Sequence, residues 1–114
     1  MITPEIDQAV LDMIGDCIML NTDAKMEIND DDHRYEPAGG PIEVALLNFL
    51  IENGISVHEH MLAIPQNYEL KLKSPFCSMR KCMTVVYKID HRVIRVVVKG
   101  APEIVVPLTA SIID

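Results

Sequence analysis

Phe76-Cys77-Ser78-Met79-Arg80-Lys81-Cys82-Met83 places an aromatic ring, a guanidinium and an ammonium group in one short segment. Lys99-Gly100-Ala101-Pro102-Glu103 adds a second ammonium next to a residue without a side chain. Side chains of these types suit an anion with a flat, aromatic end. The ring offers a face for stacking, the lysines meet negative charge, and glycine lets backbone approach a ligand with no Cβ in the way. Each feature also has a plainer reading. Phe76 after Pro75 could be a core aromatic, and Arg80-Lys81 a solvated surface pair. Convergence favours chemistry. A turn at Asp90-His91 brings Lys81, which opens one strand, beside Lys99, which closes its partner.

Other clusters read as structure. Asp30-Asp31-Asp32-His33 lacks the alternating ligands, the sixth-position glycine and the terminal glutamate of a calcium loop, so it reads as a solvated charge run. His58 and His60 stand two apart, off any single helical face. Cys77 and Cys82 have no second Cys/His pair to complete a zinc site. Nucleophile elbows, phosphate-cradling glycine loops and His-Glu-x-x-His helices do not occur.

The elements that must position the basic segment follow from periodicity. Ile6, Ala9, Val10, Met13, Ile14, Cys17 and Ile18 form an apolar stripe at helical spacing. Thr3 serves as its cap, Pro4 opens it, and Leu20-Asn21 ends it. Residues 22–40 are polar and read as a surface loop with a Gly39-Gly40 break. A second helix starts at Pro41, with Ile42, Ala45, Leu46, Phe49 and Leu50 on its main face, broadened by Val44, Leu47 and Ile51. It ends at Asn53-Gly54. Ser56-Val57-His58-Glu59 is a capping box for a third helix that stops before Pro65. Tyr68–Ser74, Lys81–Ile89 and Arg92–Val98 then read as strands. A last helix near Ala101-Pro102-Glu103 carries Ile104, Val105 and Leu108. The fold class is α+β, with helices packed on one antiparallel sheet.

Charge and composition narrow the function. The 114 residues carry a net charge of −7 and are 49% apolar and 4% aromatic, with no Trp. That excludes disorder and argues against nucleic-acid or anionic-membrane binding. The average hides a segregation: residues 71–99 carry +7 and residues 1–70 carry −12. Three cysteines in a chain with a real core fit reduced thiols better than a disulfide framework.

Three ordered motifs carry a resemblance: Pro41-x-Glu43-x-Ala45-Leu46-Leu47, Phe76-x-Ser78-x-Arg80-Lys81-x-Met83, and Lys99-Gly100-Ala101-Pro102-Glu103. Together they resemble the nucleotide-binding (N) domain of P-type cation-transporting ATPases. The Phe-x-Ser-x-Arg-Lys form is most similar to the plasma-membrane calcium-pump branch. The resemblance spans about residues 41–103, and the helix at 4–20 falls where the family has one. Ile42 departs from a common threonine. Cys77 and Cys82 replace residues that are usually small and polar or variable. The short acidic loop 29–36 implies a compact version of the domain.

By that resemblance ATP is the cofactor. Phe76 would stack on adenine, Lys81 and Lys99 would line the pocket with Lys99 at its base, and Gly100 would let the backbone pass close to the base. Glu43 would face the adenine edge or orient neighbouring polar groups, and Met83 would line the wall. Ser78 and Arg80 complete the motif. The family's phosphorylated aspartate lies in an Asp-Lys-Thr-Gly-Thr motif that does not occur here. Residues 1–114 therefore read as one nucleotide-binding domain of a larger membrane pump. It would bind ATP and ADP without hydrolysing them, on the cytoplasmic side of the membrane, as a monomeric fragment without direct membrane contact. Its partners would be the parent's phosphorylation and actuator domains, with Mg²⁺ handled mainly by the former. The competing reading is a stand-alone module whose basic hairpin docks an acidic or phosphorylated partner. A metal-binding regulator using the acidic loop is a third.

Overall fold

A computed structural model describes residues 7–110. The element order is α1 (Gln8–Leu20), β1 (Lys25–Ile28), β2 (Tyr35–Ala38), α2 (Pro41–Glu52), α3 (Val57–Asn67), β3 (Glu69–Cys77), β4 (Cys82–Lys88), β5 (Ile94–Gly100) and α4 (Pro102–Val105), followed by a 3-10 turn over Val106–Leu108. This is an α+β chain with two antiparallel sheets, β1-β2 and β3-β4-β5. It divides into two compact units, the first running to Gln66 and the second starting at Asn67.

In the first unit, Asp7 caps α1 by accepting the Ala9 N–H at 3.0 Å. The cap and opening proline assigned to Thr3 and Pro4 lie outside the described residues. The helix ends at Asn21, as its sequence indicates. The buried stripe, however, is Leu11, Gly15 and Met19, joined by Leu20, while Ala9, Met13, Ile14 and Cys17 are exposed. Apolar residues ring most of α1, so spacing alone points to the wrong face. Gly15 is buried on that face beside Ile55 and Leu50, whose methyls stand 3.4 and 3.6 Å from where its Cβ would be, an ordinary contact distance.

The core joins Met19, Ala24, Leu47, Leu50 and Val57. Each fully buried aliphatic side chain contributes about 1.5–3 kcal/mol. On α2 the inward positions are Leu47 and Leu50, whereas Ile42 is 76% exposed and Ala45 is also exposed. The face expected from Ile42 and Ala45 is therefore rotated by the rest of the unit.

Residues 22–40 are not the loop their polarity suggests. Lys25 pairs with Ala38 and Ile28 with Tyr35, making a hairpin, and hence a second sheet where one was expected. Its turn is built by short polar side chains. Asn29 Oδ1 accepts the Asp31 N–H, and Asp32 Oδ1 accepts the Arg34 N–H. His58 on α3 stacks against Tyr35 at 3.6 Å between ring centroids. The third helix also runs past Pro65 to Asn67. Pro65 falls in the last turn, where its missing N–H removes only one helical bond.

In the second unit β4 is the central strand. Its partners are fixed from Glu69↔Lys88 to Cys77↔Cys82 on one side, and from Cys82↔Gly100 to Lys88↔Ile94 on the other. Met83 and Val85 on β4 and Val97 on β5 are buried. Asp90 makes the β4–β5 turn by accepting the Arg92 and Val93 N–H groups at 2.7 and 3.1 Å. β3 extends through Pro75-Phe76 to Cys77 by way of an irregularity between Ser74 and Cys77, beyond the strand expected to stop at Ser74. β5 likewise includes Lys99 and Gly100. The last helix is only four residues long, and the chain tightens into a 3-10 turn at Pro107.

Candidate functional site

Cys77, Cys82 and Gly100 stand in one row across β3, β4 and β5. This row places the two separated basic segments together. Phe76 precedes Cys77, Lys81 precedes Cys82, and Lys99 precedes Gly100, so all three come to the same end of the sheet. Met83 lies directly opposite Lys99. Five of the six residues singled out from the sequence thus share one sheet end.

Phe76 is 60% exposed, so its ring is not a core aromatic and its face is available for stacking. Lys81 has a positive φ of 57°. That conformation ends the β3–β4 turn, with the Lys81 N–H donating to the Cys77 carbonyl at 2.6 Å. It also aims the Lys81 carbonyl at the exit of β5, where it accepts the Ala101 N–H at 3.1 Å. The Lys81 side chain is exposed, and its Nζ lies 3.8 Å from Glu103 Oε1 on α4. An exposed pair at that distance contributes little to stability and leaves the ammonium available to a stronger anion.

Two residues sit differently from a pocket lining. Met83 is 1% exposed and belongs to the buried face of the sheet with Val85 and Val97. At Gly100 the space a Cβ would occupy is filled by protein. Such an atom would stand 2.5 Å from the Lys81 carbonyl oxygen and 2.8 and 2.9 Å from Cys82 Cβ and Cα. The bare backbone of Gly100 is therefore required by its neighbour strand. Glu43 lies in the first unit, in the first turn of α2, where its Oε2 accepts the Asp23 N–H at 3.1 Å. That carboxylate ties the start of α2 to the segment leading into β1.

The electrostatics of the turn centre on Cys77. The backbone N–H groups of Arg80 and Met79 donate to its sulfur, and the Arg80 charge adds to them, so the thiol is held below its ordinary range against a smaller opposing effect of burial. The Arg80 guanidinium is fixed by the Pro75 carbonyl, to which Nη2 donates at 3.0 Å.

Comparison with protein families gives a match to "P-type ATPase, cytoplasmic domain N" over residues 9–114. The chain belongs to this family. A comparison with curated proteins gives no match. As a domain N, the chain is the nucleotide-binding part of a P-type cation-transporting ATPase, a cytoplasmic domain of that pump. Among the described residues no helix is long and apolar enough to cross a membrane.

Two features of this domain N escape sequence reasoning. The tight seat of Gly100 depends on strand register, which a linear motif does not display. The tuned Cys77 depends on a turn that folds two backbone N–H groups onto a sulfur. A cleft of about 370 Å³ in the first unit is lined by residues of α1, of the α2–α3 connection and of α3, among them Asp12, Asp16 and, on α3, His60. Among the described residues no three His, Cys, Asp or Glu side chains are grouped to hold a metal ion.

Proposed function

We propose that this domain N binds ATP at the Phe76–Lys81–Lys99 end of its three-stranded sheet and presents it to an aspartate on a separate domain of the parent pump. The reading is supported above all by the row Cys77–Cys82–Gly100, which gathers an exposed ring and two lysines from separated segments. The residues fit a nucleotide. Phe76 stacks on adenine, and Lys81 and Lys99 attract the phosphates. Met83 and Gly100 act indirectly. One anchors the sheet end in the buried face, and the other lets β5 close on the Lys81 turn. Glu43 orients polar backbone, as it does for Asp23.

Stacking of one base contributes roughly 1–3 kcal/mol. The exposed Lys81 and the half-buried Lys99 add about 1–2 kcal/mol after screening. Before the cost of immobilising the ligand, that sum of about 2–5 kcal/mol corresponds to a Kd of roughly 0.2–30 mM, so binding is millimolar or weaker. Weak binding suits a domain that must hand over a phosphoryl group and release ADP. The Phe76-x-Ser78-x-Arg80-Lys81 form supports a calcium pump of the plasma-membrane kind as the parent. Transfer and Mg²⁺ handling fall to the phosphorylation domain.

The test is a nucleotide titration followed by amide chemical shifts. Signals around Phe76, Lys81 and Lys99 should move together with AMP, ADP or ATP, with affinities within about tenfold of one another, because adenine stacking dominates. A strict requirement for the γ-phosphate would overturn this account of recognition. Movement with an acidic peptide but no nucleotide would favour a docking module.

A further inference from the structure

Cys77 and Cys82 bracket the turn that carries Ser78, Met79, Arg80 and Lys81, and they are directly opposed residues of an antiparallel pair. Directly opposed residues have Cα atoms about 4.5–5.5 Å apart and side chains on the same face of the sheet. A disulfide needs a Cα separation of roughly 4.4–6.8 Å. Both cysteines are thiols, and both are half-buried, so a small reagent can reach them. On the far flank of Cys82 the opposed residue is Gly100, so β5 places no side chain over that sulfur.

We propose that Cys77 and Cys82 form a dithiol modification site that a small-molecule disulfide, such as oxidised glutathione, converts into a cross-strand disulfide. In the first step the Cys77 thiolate attacks one sulfur of the oxidant. A mixed disulfide forms, the oxidant's S–S bond breaks, and one thiolate leaves and takes up a proton. In the second step the Cys82 thiolate attacks Cys77 Sγ and expels the second small thiol. The protein loses two hydrogens and two electrons, and one oxidant becomes two thiols. Cys77 is suited to the first attack because the Arg80 and Met79 N–H groups favour its thiolate. Cys82 is suited to resolve it because the register holds it opposite. The bond would fasten the base of the turn between Phe76 and Lys81. Its formation requires no nucleotide and is tested without one.

The experiment incubates the whole 114-residue chain, and its Cys17→Ser variant, with oxidised glutathione. Intact mass and counts of alkylatable thiols follow the reaction. The Cys17→Ser variant should lose two hydrogens and fall from two alkylatable thiols to none, whereas in the whole chain the exposed Cys17 also exchanges with the oxidant. Trypsin cuts after Arg80 and Lys81, so digestion should yield two peptides joined only by the 77–82 bond and separated by dithiothreitol. Cys82→Ser should stop at a stable glutathione adduct on Cys77. The Cys17→Ser variant should still close the bond, which keeps the test independent of the third thiol. Persistence of both alkylatable thiols in the Cys17→Ser variant would overturn the proposal. So would a bond that maps to Cys17 or joins two chains.

Discussion

The backbone of Gly100 lies against the carbonyl of Lys81 so closely that a Cβ on Gly100 would stand 2.5 Å from the Lys81 oxygen. The same carbonyl accepts the next N–H, that of Ala101. The close approach and the hydrogen bond together lock the end of β5 onto the β3–β4 turn. Gly100→Ala should therefore push two backbones apart. Overpacking of this kind costs about 1–3 kcal/mol, read as a lower urea midpoint with an unchanged slope. Nucleotide binding should weaken with it, because Lys81 and Lys99 lose their mutual placement.

Binding and folding separate at three neighbouring positions. Phe76→Ala removes a ring that is 60% exposed, so stability should hold within about 0.5 kcal/mol. Nucleotide affinity should fall roughly tenfold, the lower range of a lost base stack. Lys99→Ala should weaken binding less, and the difference from the parent chain should shrink as salt rises. Met83→Ala leaves a void at a position 1% exposed and should destabilise by about 2–5 kcal/mol. Calorimetric titration beside urea melts distinguishes the cases. Wild-type affinity in both Phe76→Ala and Lys99→Ala would remove the site from this sheet end.

The sequence displays most of what local chemistry controls. Pro41 and Asn53-Gly54 mark the ends of α2 correctly, and Asp90 with valine-rich flanks marks the β4–β5 hairpin. The gathering of Lys81 and Lys99 also follows from that turn. What stays hidden depends on tertiary choice. The buried side of α1 runs through Leu11, Gly15 and Met19, and Gly15 carries no apolar side chain to mark it. The β1–β2 hairpin looks like a loop because each strand is only four residues long, the turn between them is acidic, and most strand positions face solvent. The burial of Met83 and the crowding at Gly100 come from cross-strand register, which motif spacing does not carry.

Lys81 holds a left-handed backbone, φ 57°, that costs a non-glycine residue about 1–2 kcal/mol. Its exposed ion pair with Glu103 recovers little of this. Lys81→Gly should therefore raise stability, by about 0.5–1 kcal/mol after the extra chain entropy of glycine. The same change removes an ammonium from the site and should weaken ATP binding more than AMP binding. A variant that is more stable and binds more weakly would show that the lysine is kept for its charge. A loss of stability would mean that the strain is offset by contacts of the Lys81 side chain.

Cys77 gives a pH dependence with a definite sign. Its thiol is held below the ordinary range, first by the Arg80 N–H and then by that of Met79, with the Arg80 charge adding less. Between the folded value and the ordinary one, the folded chain carries thiolate where the unfolded chain carries thiol. The folded state then binds fewer protons, so this contribution to stability is full above the ordinary thiol value and is lost as pH falls through the folded one. Reactivity reports the shift directly, since the thiolate is the nucleophile. In a Cys17→Ser, Cys82→Ser background, the alkylation rate plotted against pH should have its midpoint lower in buffer than in urea. Arg80→Ala should return the midpoint only part of the way, because the residue-80 N–H survives the substitution. Superimposed profiles in buffer and urea would show that the turn does not tune the sulfur.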